Sequence, residues 1–147
     1  MIGIDLGTAF SCAAYVKEGA PQMIPGDKGK RSFPSAVFVR GEELLLGTGA
    51  RERSESNPGN VIHSWKRLLG RGYESQAVRD ATDHLAYQVE PGLEGEAVVR
   101  IDDVLYWPSW FAARVLYEIR RWTRDHLGEV VTRAVVTVPA YYTNRQR

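Results

Sequence analysis

The chain has 147 residues, of which 44% are hydrophobic and 25% charged, and its formal net charge is +1. This composition predicts an ordinary globular protein with a sizeable core, and the small net charge argues against a main role in binding nucleic acid or an anionic membrane. No apolar run reaches the ~18 residues of a transmembrane helix, and the first residues do not have the pattern of a signal peptide because Asp5 interrupts them, so we expect a cytoplasmic protein.

The N-terminal third predicts short antiparallel strands. Residues 1–5 and 10–17 are apolar runs separated by a turn containing Gly7 and Thr8, and residues 22–24 suggest a third strand. A basic, glycine-rich connector at 25–35 follows. Residues 36–40 and 43–46 then predict a hairpin across Gly41, and 50–56 a short exposed helix.

The middle of the chain predicts a helix and a second hairpin. Asn60 is a good N-cap, Gly70 a good terminator, and apolar residues between them fall at helical spacing, so we expect a helix there. Residues 75–86 are compatible with a helix or an irregular segment. Residues 87–89 and 97–101 flank a glycine- and proline-containing turn and predict the hairpin.

The strongest helix prediction covers residues 108–127. Pro108 suits the first helical position, Gly128 suits the end, and Phe111, Val115 and Ile119 lie on one face. The apolar run at 133–138 predicts a strand in a central position, covered on both faces. This order indicates an α/β fold with an antiparallel start, and not a Rossmann start, because no helix follows the first glycine turn.

The turn between the first two strands carries the clearest chemical signal. Gly7 can take a positive φ and allows close approach of a ligand to the backbone, whose N–H groups can converge on an anion. Asp5 would stand beside that anion, and a carboxylate tolerates phosphate there when Mg²⁺ lies between them. The turn with Asp5 therefore suggests a Mg²⁺–phosphate site. A plain hairpin with glycine at its turn is the alternative.

Lys66 is the second candidate site residue. It lies beside Arg67 on the predicted 60–70 helix, so one of the two cations could point into a cleft and meet a phosphate or an attacking water. The alternative is that both are surface charges. The three histidines stand at no metal-ligand spacing, and no nucleophile elbow occurs.

Four stretches of the sequence together resemble one protein family. "IGIDLGTAFSCAAYV" (2–16), "KRSFPSAVFV" (30–39), "WKRLLGR" (65–71) and "AVVTVPAYYTNRQR" (134–147) are similar in order and spacing to segments of the seventy-kilodalton heat-shock chaperones. The first stretch alone fits the wider actin, sugar-kinase and chaperone superfamily, and the last two favour the chaperone branch.

The resemblance implies an α/β, ribonuclease-H-like, actin/heat-shock-chaperone ATPase fold, of which this chain would supply lobe I. Residues 1–34 and 107–147 would form subdomain IA and residues 35–106 the inserted subdomain IB. The strand-like, proline-containing end of the sequence fits a chain that continues beyond Arg147. The second lobe and the substrate-binding domain would then lie outside this chain.

The resemblance also implies ligands and residue roles. ATP or ADP with Mg²⁺ would be the cofactors, and Lys66 would orient the attacking water. The β- and γ-phosphates would lie on Gly7, Thr8, Ala9 and Phe10, with Asp5 holding Mg²⁺ through water. Pro139 would be the switch proline and Arg147 the relay arginine.

The same resemblance implies a function for the full-length protein. ATP hydrolysis would drive binding and release of unfolded client peptides, with a J-domain co-chaperone and a nucleotide exchange factor as partners. This chain alone would be inactive, because half of the cleft is missing. Ala9 stands where the family usually has a second threonine, which favours the alternative of a divergent, non-hydrolysing nucleotide-binding or scaffold relative.

Overall fold

The computed structural model describes residues 1–140, 142–144, 146 and 147, without the side chain of Asp27. Tyr141 and Arg145, both in the C-terminal stretch that carries the resemblance, lie outside the described residues. No helix in the described part of the chain is long and apolar enough to cross a membrane.

The first sheet contains the first and the last strand of the described residues. Strand β1 pairs with β2 in an antiparallel hairpin and with the last strand, β11, in parallel, so Asp5 lies opposite Cys12 on one side and Thr137 on the other. The order is β11-β1-β2-β3, and β4 also pairs with β2. The strands are β1 (Ile2–Leu6), β2 (Phe10–Lys17), β3 (Ala20–Met23), β4 (Phe33–Pro34) and β11 (Ala134–Thr137).

In the sequence, two three-stranded antiparallel sheets lie between β4 and β11. In one, the central β5 pairs with β6 and β7, and in the other the central β9 pairs with β8 and β10. Both predicted hairpins are confirmed, and β10 was not predicted. The strands are β5 (Val37–Arg40), β6 (Glu43–Leu46), β7 (Val61–Ile62), β8 (Gln88–Pro91), β9 (Ala97–Ile101) and β10 (Val104–Tyr106).

One long helix and two short ones complete the fold. The prediction for α3 is confirmed at both ends: it spans Pro108–Leu127 and ends at Gly128, whose φ of 72° is left-handed. The short helices are α1 (Gly47–Arg51) and α2 (Gln76–Thr82), and the 3₁₀ turns are Asp27–Gly29, Pro58–Asn60 and Trp65–Arg67. The buried face of α3 carries Phe111, Val115 and Ile119 and joins a single core cluster that reaches all three sheets.

The helix predicted between Asn60 and Gly70 is wrong. Val61 and Ile62 form β7 beside β5, Ser64 is left-handed at φ 56°, and only Trp65–Arg67 makes a helical turn. Asn60 does not cap a helix, because strand β7 follows it directly, and its side-chain amide donates to the Val39 carbonyl at 2.9 Å. The apolar residues that the prediction placed on one helix face are buried in the structure, but they lie in two separate elements, strand β7 and the Trp65–Arg67 turn. Helical spacing of apolar residues alone does not distinguish this arrangement from a helix.

The central position predicted for the last strand is also not found. Within the described residues β11 pairs only with β1, at the edge of the sheet, and Val135 and Val136 are exposed. Its apolar run is typical of a covered strand, but such a run does not specify which elements cover it. The helix predicted at 50–56 lies earlier, at Gly47–Arg51.

Candidate functional site

The turn between β1 and β2, here called the glycine turn (Gly7, Thr8 and Ala9), requires glycine at its first position. A Cβ on Gly7 would lie 2.0 Å from the Phe10 carbonyl oxygen, which is far inside van der Waals contact. Gly7 does not have the positive φ that the sequence suggested. Close approach of backbone to backbone therefore explains this glycine.

The backbone donors of the glycine turn have no partners within the described part of the chain. The N–H groups of Gly7, Thr8 and Ala9 donate to no described group. Thr8 is half-buried and Ala9 is exposed. Unpaired N–H groups at a turn attract anions. The turn thus presents a set of donors suited to phosphate or carboxylate oxygens.

Lys66 is the buried cation beside this turn. It lies in the Trp65–Arg67 turn, here called the lysine turn, and is 7% exposed. Its ammonium donates to the Leu6 carbonyl and lies 5.8 Å from the centre of the Tyr142 ring. Burial lowers the pKa of Lys66, and the nearby Asp5 carboxylate partly offsets that shift.

Asp5 is the last residue on the exposed face of β1. Its neighbours Ile4 and Leu6 are buried, because successive side chains of a strand point to opposite faces. Thr137 of β11 donates its hydroxyl to one Asp5 oxygen at 2.8 Å. The described residues contain no group of three His, Cys, Asp or Glu side chains that could hold a metal. A cation at Asp5 would therefore need water and ligand oxygens, which is the coordination that Mg²⁺ prefers.

Two clefts meet at Thr8. The lysine cleft, of about 270 Å³, places Thr8 with Lys66 and Pro139, and its wall adds the cations Arg67 and Arg71. Asp80, the carboxylate in that wall, accepts from the Gln76 side chain at 2.6 Å. The cleft is therefore rich in positive charge around Thr8, which the sequence resemblance predicts to bind phosphate.

The second cleft, here called the arginine cleft, has about 390 Å³ and lies against Thr8, Ala9 and Phe10. It contains Arg51, whose guanidinium carbon stands 5.6 Å from the centre of the Phe10 ring, and His63. Burial, and then Arg51, lower the pKa of His63. Sequence reasoning missed both residues, because no motif or spacing links them to the glycine turn.

The C-terminal segment packs on the lysine turn. The Tyr142 hydroxyl donates to the Lys66 carbonyl at 3.1 Å, and the Gln146 amide donates to the Leu69 carbonyl at 3.2 Å. Arg147 is exposed and lines neither cleft. Of the site residues predicted from the sequence, the structure brings together Asp5, Gly7, Thr8, Ala9, Phe10, Lys66 and Pro139, and not the Arg147 side chain.

Comparison with known protein families gives one match that covers the whole chain. The family model described as Hsp70 protein matches residues 1–147. The resemblance drawn from four short stretches of sequence is therefore confirmed over the full length.

Proposed function

The chain belongs to the Hsp70 family and has its actin-like ATPase fold, and on this premise we propose that it forms lobe I of a nucleotide-binding domain in a chaperone ATPase. Residues 1–34 and 107–147 form subdomain IA, and residues 35–106 form subdomain IB. The five-stranded sheet and α3 belong to the first set, and both three-stranded sheets to the second, which supports this division.

The ligand of this lobe is ATP or ADP with Mg²⁺. The N–H groups of the glycine turn, which have no partner among the described residues, bind phosphate oxygens, and Asp5 holds Mg²⁺ through water molecules. Bound Mg²⁺ neutralises charge on the phosphates. Phosphoryl transfer depends mostly on positioning and electrostatic stabilisation, and fixed backbone donors beside a buried cation provide both.

The observation that carries this proposal is the placement of Lys66. Its ammonium is buried, fixed on the Leu6 carbonyl, and lies in the same cleft as Thr8. A buried cation is costly unless a partner anion balances it, and Asp5 is close enough to influence its pKa. In this proposal Lys66 orients the attacking water and stabilises charge on the terminal phosphoryl group.

The other proposed roles concern the full-length protein. Pro139, which lines the lysine cleft two residues after β11, acts as the switch proline, and Arg147 relays the nucleotide state. Unfolded client peptides, a J-domain co-chaperone and a nucleotide exchange factor are the partners. ATP hydrolysis in the full-length protein then controls peptide binding and release.

A non-hydrolysing nucleotide-binding or scaffold relative is the second candidate. Ala9 favours it, because alanine keeps the backbone donor of the glycine turn and offers no hydroxyl to a phosphate. Single-turnover hydrolysis of ATP by the full-length protein separates the two functions. Nucleotide binding without any hydrolysis supports the second candidate.

Lys66→Ala in the full-length protein tests the first candidate. We expect hydrolysis to fall by about 100-fold or more, because one preorganised charge contact to the transition state is lost. Nucleotide affinity, measured by calorimetry, should fall much less. Arg79→Ala is the control, because it removes an exposed cation that pairs with Glu74 at 2.8 Å and lines neither cleft. Equal losses of hydrolysis and binding in Lys66→Ala would contradict the assigned role.

A further inference from the structure

Ser35 makes hydrogen bonds with every polar atom that it has. It follows β4 and is 1% exposed. Its hydroxyl donates to the Gly7 carbonyl at 2.8 Å, and its backbone N–H donates to the Ala9 carbonyl at 2.9 Å. Its carbonyl accepts from the Trp65 indole N–H at 3.0 Å. One buried residue thus connects the glycine turn with the lysine turn.

These contacts fix the direction of the turn's donors. In a trans peptide the carbonyl and the following N–H point in opposite directions. Because Ser35 holds the Gly7 and Ala9 carbonyls on its own side, the N–H groups of Thr8 and Phe10 point away from Ser35. Lys66 holds the preceding carbonyl, that of Leu6. The Leu6–Gly7 peptide plane is therefore held by the Lys66 side chain, and the next plane, Gly7–Thr8, by the Ser35 side chain.

Ser11 completes the arrangement on the other side of Ser35. Its hydroxyl lies 2.8 Å from the Ser35 hydroxyl, and both are buried. A hydroxyl has one hydrogen to donate, and Ser35 gives its hydrogen to Gly7. Ser11 is therefore the donor to Ser35. Removal of the Ser11 hydroxyl leaves the Ser35–Gly7 bond in place, which makes Ser11 a suitable control.

We propose that Ser35 is a positioning residue, which aims the backbone donors of the glycine turn at the phosphates of the ligand. This inference rests on the proposed nucleotide-binding function and adds a residue to it. Ser35 is 1% exposed and acts through the Gly7–Thr8 peptide plane. Through Trp65 it also sets the distance between that plane and Lys66.

The test compares phosphate-dependent with phosphate-independent affinity in the full-length protein. Calorimetry of ADP with Mg²⁺ and of adenosine is done for Ser35→Ala, Ser35→Thr and Ser11→Ala. We expect Ser35→Ala to weaken ADP binding about tenfold, the value of one hydrogen bond, with adenosine affinity unchanged. Ser35→Thr keeps the hydroxyl and should restore ADP affinity, and Ser11→Ala should stay close to wild type.

The outcomes separate this inference from the function on which it rests. Wild-type ADP affinity in Ser35→Ala, or an equal loss for adenosine, overturns the positioning role and leaves nucleotide binding intact. A wild-type protein that binds neither ligand overturns both. If Ser35→Ala does not fold, Ser35→Cys keeps a similar volume with a weaker donor and should show the same selective loss for ADP.

Discussion

Arg51 and His63 stand together on the arginine-cleft side of the glycine turn, although they are twelve positions apart in the sequence. Burial disfavours the charged form of His63 most, and the nearby Arg51 guanidinium disfavours it further. The folded protein therefore binds a proton at His63 less readily than the unfolded chain does. Stability linked to His63 is fully present above the unfolded pKa of about 6.5 and falls as the pH drops through the lower folded value.

Arg51→Gln tests this pair. The pKa of His63 should rise toward its ordinary value but stay below it, because burial is the larger cause and remains. An NMR titration of the imidazole resonances measures the midpoint. Arg53→Gln is the control, since Arg53 pairs with Glu43 at 2.9 Å and does not influence His63. An unchanged midpoint in Arg51→Gln would contradict the placement of Arg51.

Local spacing predicted the site residues of the first hairpin, whereas Lys66 and Pro139, which folding brings to that hairpin, were assigned only through the family resemblance. Asp5, Gly7 and Thr8 lie on consecutive elements of a hairpin, so their proximity follows from local spacing. The local pattern named Lys66 only as one of two adjacent cations, because the choice depends on which one faces Leu6, and the family resemblance was needed to single it out. Ser35, Arg51 and His63 reach the turn from other elements, and no spacing in sequence indicates such contacts.

At the scale of single elements, the glycine turn shows how a backbone contact constrains a residue. Gly7→Ala should destabilise the chain by about 2 kcal/mol or more, because the new Cβ meets backbone that cannot move aside easily. Denaturant unfolding of the 147-residue chain measures this.

Gly3→Ala is the matched control for Gly7→Ala. Gly3 lies in β1, the strand that leads into the glycine turn, and a Cβ there would be 4.0 Å from the Ala14 carbonyl oxygen, an ordinary contact. We expect a change within about 0.5 kcal/mol. A similar loss of stability in both variants would show that glycine flexibility, and not the approach of Phe10, determines the Gly7 effect.

The element predictions succeeded where local signals and tertiary contacts agree. α3 has proline at its start, glycine after its end and an apolar face of five turns, and it was found at its predicted bounds. In the 60–70 segment the local signal was similar, but pairing with β5 and the left-handed Ser64 prevent a helix. The β-branched Val61 and Ile62 were the one local indication of a strand.

At the scale of the whole molecule, the position of α3 makes the three sheets interdependent. Its buried face contacts β5 of one three-stranded sheet and β9 of the other, and the shared core includes Ile2 and Ile4 of the first sheet. This continuity was not predictable, because the sequence gives the apolar face of the helix but not the elements that cover it. One core for three sheets predicts that they unfold together.

Phe111→Ala tests this cooperativity. The side chain is fully buried in the shared core, so its truncation should cost about 3–5 kcal/mol. If the sheets unfold as one unit, amide hydrogen exchange measured at Ile4 in β1 and at Val99 in β9 should accelerate by the same factor. Tyr117→Ala, on the exposed face of the same helix, should change both rates little. Acceleration at Val99 alone would mean that the first sheet is stable without the packing of α3 on the other two.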